Sequence, residues 1–323
     1  MYAKHWCYAA THMKWTVPIG MKLARVLAVA LTVGLLLAGC ATSQVNLPSI
    51  TEQATDVRYP GKIIWHDLIT HTPDASKRFY AELFGWEFED LGLDFGAGRT
   101  VNYTLIRHHG QLIGGMVDAN RLGRPNPQQL SQWVVVMSVA DVQAAVAAVT
   151  KAGGKVLTPP TDVDARGELA VVEDNQGAAL ALLRTRDGDP DNRVAANGDF
   201  LWDEVWPDDV GRAIAFYGSV VPGLSAQSRQ LPGGRVYQYM SSTGTPRFGL
   251  LQRPIEWLAP TWSSYLRVAD VASIVSRVPS LGGSVLVPAQ DRAGEKVALI
   301  AGPSGAGIAI QTWSGSGAGE SDR

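Results

Sequence analysis

Two short stretches hold residues able to do chemistry: Trp65-His66-Asp67 and Trp202-Asp203-Glu204. In each, an acid follows a tryptophan by two places, and Phe79 or Phe216 follows that tryptophan by 14. A carboxylate beside an indole can act as a general base where desolvation raises its pKa. It can also help hold a flat or cationic organic group against an aromatic wall, by stacking and cation–π attraction. Strand alternation sends Trp65, Asp67 and Ile69 to one face, with Trp202, Glu204 and Trp206 as their counterparts, and leaves His66 on the opposite face. Trp133 and Trp262 open later strands, and Tyr103 and Tyr237 lie on middle strands. The candidate ligand-binding residues are therefore Trp65, Asp67, Tyr103, Trp133, Trp202, Glu204, Tyr237 and Trp262. The same tryptophans would serve equally as plugs of a closed core, since the chain has ten to bury. One carboxylate per wall, with no partner acid, singles out no catalytic residue.

Each stretch opens a β-α-β-β-β unit. Ile63 to Thr70 reads as a strand. Asp74 to Gly85 reads as a helix with the apolar stripe Ala75, Phe79, Leu83 and Phe84, capped by Thr72 or Asp74. Strands follow from Trp86, from Thr100 to Ile106, and from Leu112 to Val117. His108-His109-Gly110-Gln111 reads as a hairpin tip with a surface histidine pair, and His71 as a solvated turn residue. A second unit runs through a strand at Trp133–Val139, a helix at Asp141–Ala152 closed by Gly153-Gly154, and strands at Leu169–Glu173 and Ala179–Leu183. After the turn-rich stretch at 187–192 the arrangement recurs, with strands at Phe200–Trp206, Arg235–Met240 and Phe248–Leu251 and a helix at Asp209–Tyr217. A fourth unit starts at Trp262, where Val268-Ala269-Asp270-Val271 repeats Val139-Ala140-Asp141-Val142 and Gly282-Gly283 repeats Gly153-Gly154. The expectation is an α+β protein of four βαβββ units in two tandem domains, 60–186 and 198–313, with a linker at 187–197 and a Gly/Ser-rich disordered tail at 314–323. A single unit cannot bury its apolar sheet face, so each pair should form one domain around a cleft.

The Trp-x-Asp-Leu-x-Thr, Phe-Tyr and Leu-Phe-Gly-Trp pattern of residues 65–86 resembles the vicinal oxygen chelate superfamily, the glyoxalase/bleomycin resistance/dioxygenase proteins, and in particular its tandem-domain glyoxalase-like members. The resemblance covers residues 60–185 and, more weakly, 198–313. It implies a divalent metal held in the cleft by His and Glu, and lyase or oxidoreductase chemistry. Carried over residue by residue, the first-strand ligand position falls on Trp65 and Trp202 and the glutamate position on Ala181 and Ala309. The nearest candidates in the paired units are Val135 and Ser264. None is a strong metal ligand, and the second domain contains no histidine. No metal and no other cofactor is therefore expected. The reading is a metal-independent binder of a small organic ligand. The alternatives are an enzyme of glyoxalase or dioxygenase type with an atypical site, and a structural or interaction module with a degenerate cleft.

With 28 Lys+Arg against 30 Asp+Glu and a net charge of −2, the chain has no electrostatic footprint for nucleic acid. Lys22 and Arg25, the apolar run from Val26 to Ala38 and the sequence Leu37-Ala38-Gly39-Cys40 resemble a bacterial lipoprotein signal with its lipobox. The apolar run is well short of the roughly 20 residues that span a bilayer. Residues 1–20 then read as an upstream extension, 21–40 as the signal, Cys40 as the lipidated residue and 41–59 as a polar tether. The expected address is the bacterial cell envelope, anchored to the membrane by lipid, on the periplasmic face of an outer membrane where there is one. Cys7 and Cys40 are the only cysteines, so the mature chain would have neither disulfides nor thiol chemistry.

Overall fold

A computed structural model describes residues 47–94, 100–122, 125–231, 234–292 and 294–314. The signal, Cys40, the start of the tether and the tail from residue 315 lie outside the described residues. Within them, no helix is long and apolar enough to cross a membrane.

The first unit runs β1 (Ile63–Thr70), α1 (Pro73–Phe84), β2 (Glu87–Asp94), β3 (Thr100–His108) and β4 (Gln111–Asp118). The second runs β5 (Gln132–Ser138), α2 (Val142–Lys151), β6 (Lys155–Asp162), β7 (Gly167–Glu173) and β8 (Ala179–Thr185). The third has β9 (Phe200–Trp206), α3 (Val210–Val220), β10 (Leu224–Leu231), β11 (Arg235–Ser242) and β12 (Thr245–Leu250). The fourth has β13 (Thr261–Arg267), α4 (Val271–Arg277), β14 (Ser284–Arg292), β15 (Glu295–Ala301) and β16 (Gly307–Gln311). Units pair as expected: one eight-stranded sheet is ordered β2-β3-β4-β1-β5-β8-β7-β6, the other β10-β11-β12-β9-β13-β16-β15-β14. The first strands of paired units are antiparallel neighbours, with Trp65 opposite Val136 and Trp202 opposite Tyr265.

Local chemistry sets the helix ends. Asp141, Asp209 and Asp270 each accept first-turn amides of the helix that follows, satisfying donors the helix leaves unpaired. In α1 the Thr72 side chain makes no cap bond, but Pro73 occupies the first turn, where its missing N–H costs nothing.

All four helices lie on one face of their sheets, and these back faces meet. Leu68, Phe79, Tyr80, Trp86 and Met116 of the first unit share a core with Leu266, Val271, Ile300 and Ile308 of the fourth. Val135, Met137, Val142 and Val149 of the second share one with Phe216, Tyr217, Met240 and Phe248 of the third. The repeated Phe-Tyr pairs therefore dock one domain on the other, and the repeated Gly-Gly pairs receive them. A Cβ on Gly283 would lie 2.5 Å from the Phe79 ring, and one on Gly154 would lie 3.0 Å from the Phe216 ring.

Several expectations change at this interface. Trp133 and Trp262 face the back, not the candidate wall: Trp133 donates to the Tyr80 hydroxyl at 3.0 Å, and Trp262 packs edge-on to Tyr217 and Phe248. His108 is no surface residue. It is 3% exposed, with Nδ1 2.7 Å from Asp199 Oδ1 across the domain boundary. His66, on the back face as alternation requires, has Nε2 2.9 Å from Asp203 Oδ1 and stacks on Phe200. His71 is half-buried, with Nδ1 2.8 Å from the Ser131 hydroxyl. Within the expected linker, Asp189 is fully buried and accepts from Ser138, Thr185 and the Tyr59 amide.

Candidate binding clefts

Among the described residues, the opposite, front face of each sheet carries no α-helix, and there the repeated acid gathers its partners. In the first domain, Tyr103 donates to Asp67 Oδ1 at 2.6 Å, and the Trp65 indole N–H is shared between Asp67 Oδ1 and the Tyr103 oxygen, 3.0 Å from each. Arg166, at the β6–β7 connection, donates from Nη1 to the Tyr103 oxygen at 3.0 Å. Its guanidinium lies 5.0 Å from the Trp65 ring centre and 5.2 Å from that of Tyr103, a cation–π arrangement made stronger by burial. Gly115 on β4 is the floor: a Cβ there would stand 1.9 Å from the Tyr103 oxygen and 2.5 Å from Asp67.

The second domain repeats the plan with an acid one methylene longer. Glu204 Oε1 accepts from the Tyr237 hydroxyl at 2.6 Å and from Arg292 Nη2 at 2.7 Å. Oε2 accepts from Tyr265 at 2.6 Å and from the Trp206 indole at 3.1 Å. Trp202 donates to the Tyr237 oxygen, and Gly249 takes the place of Gly115. Burial pushes the Glu204 carboxyl up, but Arg292 and the two phenols outweigh it and hold the group below its usual range. Tyr237 and Tyr265 are pushed well up, by burial first and then by the Glu204 charge, so both stay protonated donors.

Trp65, Asp67 and Tyr103 thus meet on one front face and Trp202, Glu204 and Tyr237 on the other, while Trp133 and Trp262 join neither. Sequence reasoning missed the arginines. Their signal was present: Arg166 and Arg292 each precede a glycine and a glutamate at the same hairpin of the repeat. It also missed Tyr265, which stands where the first domain has Val136. The tether is not free where it is described. Leu47 and Ile50 pack on the first front face beside Trp65 and Tyr103. The Leu47 amide donates to the Val163 carbonyl, the Arg166 amide to the Leu47 carbonyl, and Arg166 Nε to the Pro48 carbonyl at 3.1 Å.

A divalent metal does not fit these residues. Facing Trp65 and Trp202 across the central strand pair are Val136 and Tyr265; Val135 and Ser264 point to the back, where Ser264 donates to Asp203. Ala181 and Ala309 do line the front faces but offer no ligand atom. Glu204 spends both oxygens on its own neighbours. Among the described residues, no group of three or more His, Cys, Asp or Glu is placed to hold a metal ion.

The chain resembles known proteins along most of its length. A family model described as the Glyoxalase/Bleomycin resistance protein/Dioxygenase superfamily matches residues 62–182. The anthracycline biosynthesis protein DnrV of Streptomyces peucetius is 31% identical over 265 residues, covering 78% of this chain and 93% of that protein. "Putative glyoxylase CFP32" of Mycobacterium tuberculosis (strain CDC 1551 / Oshkosh) is 27% identical over 248 residues, covering 75% of this chain and 91% of that one. Among solved structures, homoprotocatechuate 2,3-dioxygenase from Brevibacterium fuscum shares the fold with a TM-score of 0.53 at 14% identity, over 81% of this chain and 82% of its own. Taken with the tandem eight-stranded sheets, these matches mean that the chain belongs to the glyoxalase/bleomycin resistance protein/dioxygenase superfamily.

Proposed function

We propose that this chain binds a small organic molecule without a metal, on the front faces of its sheets, and that lipid on Cys40 holds it at the cell envelope. The observation that carries the reading is the substitution of a Trp–acid–Tyr–Arg network for metal donors in both domains. Stacked indoles, phenols and a guanidinium recognise flat, polar-edged molecules by dispersion, hydrogen bonding and cation–π attraction. A base-catalysed reaction is a weaker reading. Glu204 is held ionised by a guanidinium and two phenols, and a carboxylate so stabilised takes up a proton poorly.

The test pairs elemental analysis of the purified protein with a thermal-shift screen of aromatic and acidic small molecules. A ligand selective for the native state raises the melting temperature. Stoichiometric transition metal in the protein would overturn the proposal, as would a panel in which nothing shifts the melt. The anchor is tested separately: Cys40→Ser should release the protein from the membrane fraction, and a variant still sedimenting with membranes would refute it.

A further inference from the structure

We infer that the first domain's front face is a receptor for an organic carboxylate with an apolar body, and that residues 47–50 are a displaceable internal stand-in for it. The inference rests on the reading of the front faces as binding sites and names the ligand class and its competitor.

Arg166 carries it. The side chain is 2% exposed, so its charge is largely cut off from water. Nη1 bonds the Tyr103 hydroxyl and Nε bonds the Pro48 carbonyl, but Nη2 is buried with no hydrogen-bond partner among the described residues. The Nε and Nη2 hydrogens lie on one edge of the planar guanidinium, the edge that grips the two oxygens of a carboxylate side by side. A carbonyl has one oxygen and fills half of that edge. The Pro48 carbonyl is therefore a one-oxygen surrogate where a two-oxygen group fits.

The charge balance agrees. In the second domain Glu204 reaches Arg292 directly at 2.7 Å, so that arginine already owns a carboxylate. In the first domain the acid is Asp67, a methylene shorter. Its link to Arg166 runs through the Tyr103 hydroxyl, which accepts from Arg166 and donates to Asp67. No ion pair joins Arg166 to any acid among the described residues. A buried cation with no acid in direct contact favours an incoming anion. The body of the ligand is sketched by what now covers the site: Leu47 and Ile50, in the same apolar cluster as Trp65, Tyr103 and Leu169. Besides the Pro48 bond to Arg166, the segment's backbone is held by two bonds of 3.2 Å, Leu47 to Val163 and Arg166 to Leu47. A ligand for a state only fractionally open binds with an affinity reduced by that fraction, so loosening the segment must tighten binding.

The test compares 4-phenylbutyrate with its neutral amide on the full chain and on a Leu47→Ser/Ile50→Ser variant, by calorimetry and by hydrogen exchange at the Arg166 amide. The carboxylate should bind the variant about tenfold more tightly than the amide does, as charge-assisted bidentate pairing requires, and more tightly than it binds the unmodified chain. It should speed exchange at the Arg166 amide by displacing Leu47. Asp67→Asn should strengthen the carboxylate further by removing a like charge, while Arg166→Lys, with the melt as a folding control, should erase the preference. Equal binding of acid and amide, an affinity indifferent to the Leu47 and Ile50 changes, or no binding at millimolar concentration overturns the inference. If neutral aromatic probes still raise the melt, only this inference falls; if none do, the binding function falls with it.

Discussion

At Glu204 an indole, two phenols and a guanidinium converge on one buried carboxylate. Removing its charge leaves the largely covered Arg292 without its counter-ion, so Glu204→Gln should cost about 3–5 kcal/mol in urea unfolding at neutral pH. A variant as stable as the unmodified chain would refute that role. Because the folded carboxyl lies below its ordinary value of 4.5, its contribution is complete above that pH and fades as pH falls through the lower folded value. Lys62 gives the opposite end of the scale. Burial and the nearby Arg247 push its ammonium down to about 8, against the opposing pull of Asp189. Between about 8 and the ordinary 10.5 the unfolded chain binds more protons than the folded one, so stability should rise with pH in that window. Lys62→Met should flatten the rise in melts taken across it, and an unchanged slope would contradict the assignment. Trp65, Asp67 and Tyr103 were legible in the sequence because period-two alternation and the repeat both point to them. Trp133 and Trp262 were not, because β5 pairs β1 in a register that turns its even-numbered residues to the front, and β13 pairs β9 in one that turns its odd-numbered residues there. Arg166 and Arg292 were overlooked despite their repeat for another reason: a charged residue at a hairpin is ordinarily solvated, and only the folded sheet shows Arg166 buried and Arg292 largely covered.

Among the elements, the helices and central strands follow from pattern alone, since apolar periodicity and aspartate caps agree there. The polar edge strands do not. β10 reads Leu-Ser-Ala-Gln-Ser-Arg-Gln-Leu and β6 contains Pro159-Pro160; neither shows a strand period. An outermost strand buries little and can carry prolines where no neighbour needs an amide. The Gly-Gly turns were visible as repeats, but their purpose needed the second domain. Gly282 ends its turn in the left-handed region at φ 82°, while Gly283 clears a path for Phe79. Gly283→Ala would set a methyl 2.5 Å from that ring and 2.6 Å from the Ala301 carbonyl. Overpacking of this kind costs about 1–3 kcal/mol, readable as a lowered urea midpoint with an unchanged slope. No change in midpoint would mean that α1 can move aside.

On the scale of the whole molecule, the two domains have separate sheets but shared interiors. Each back-face core draws strands and helices from both domains, and Tyr217 reaches across to Asp174 at 2.9 Å. A fragment ending at residue 190 would expose Phe79, Tyr80, Met137 and Val149 together. It should lack a cooperative thermal transition, and a sharp two-state melt of that fragment would show the domains to be independent. The sequence repeat allowed two domains to be counted but said nothing of this mutual dependence, because apolar stripes look the same whether their partner lies near or far along the chain. The pairing of Phe79 with Gly283 has a further consequence, in time. At roughly 5–20 residues per second, a ribosome needs about 10–40 s to pass from one to the other. Throughout that interval the first domain emerges with an oily back it cannot cover. How long that surface stays bare is therefore written into the distance between a phenylalanine and the glycine that receives it.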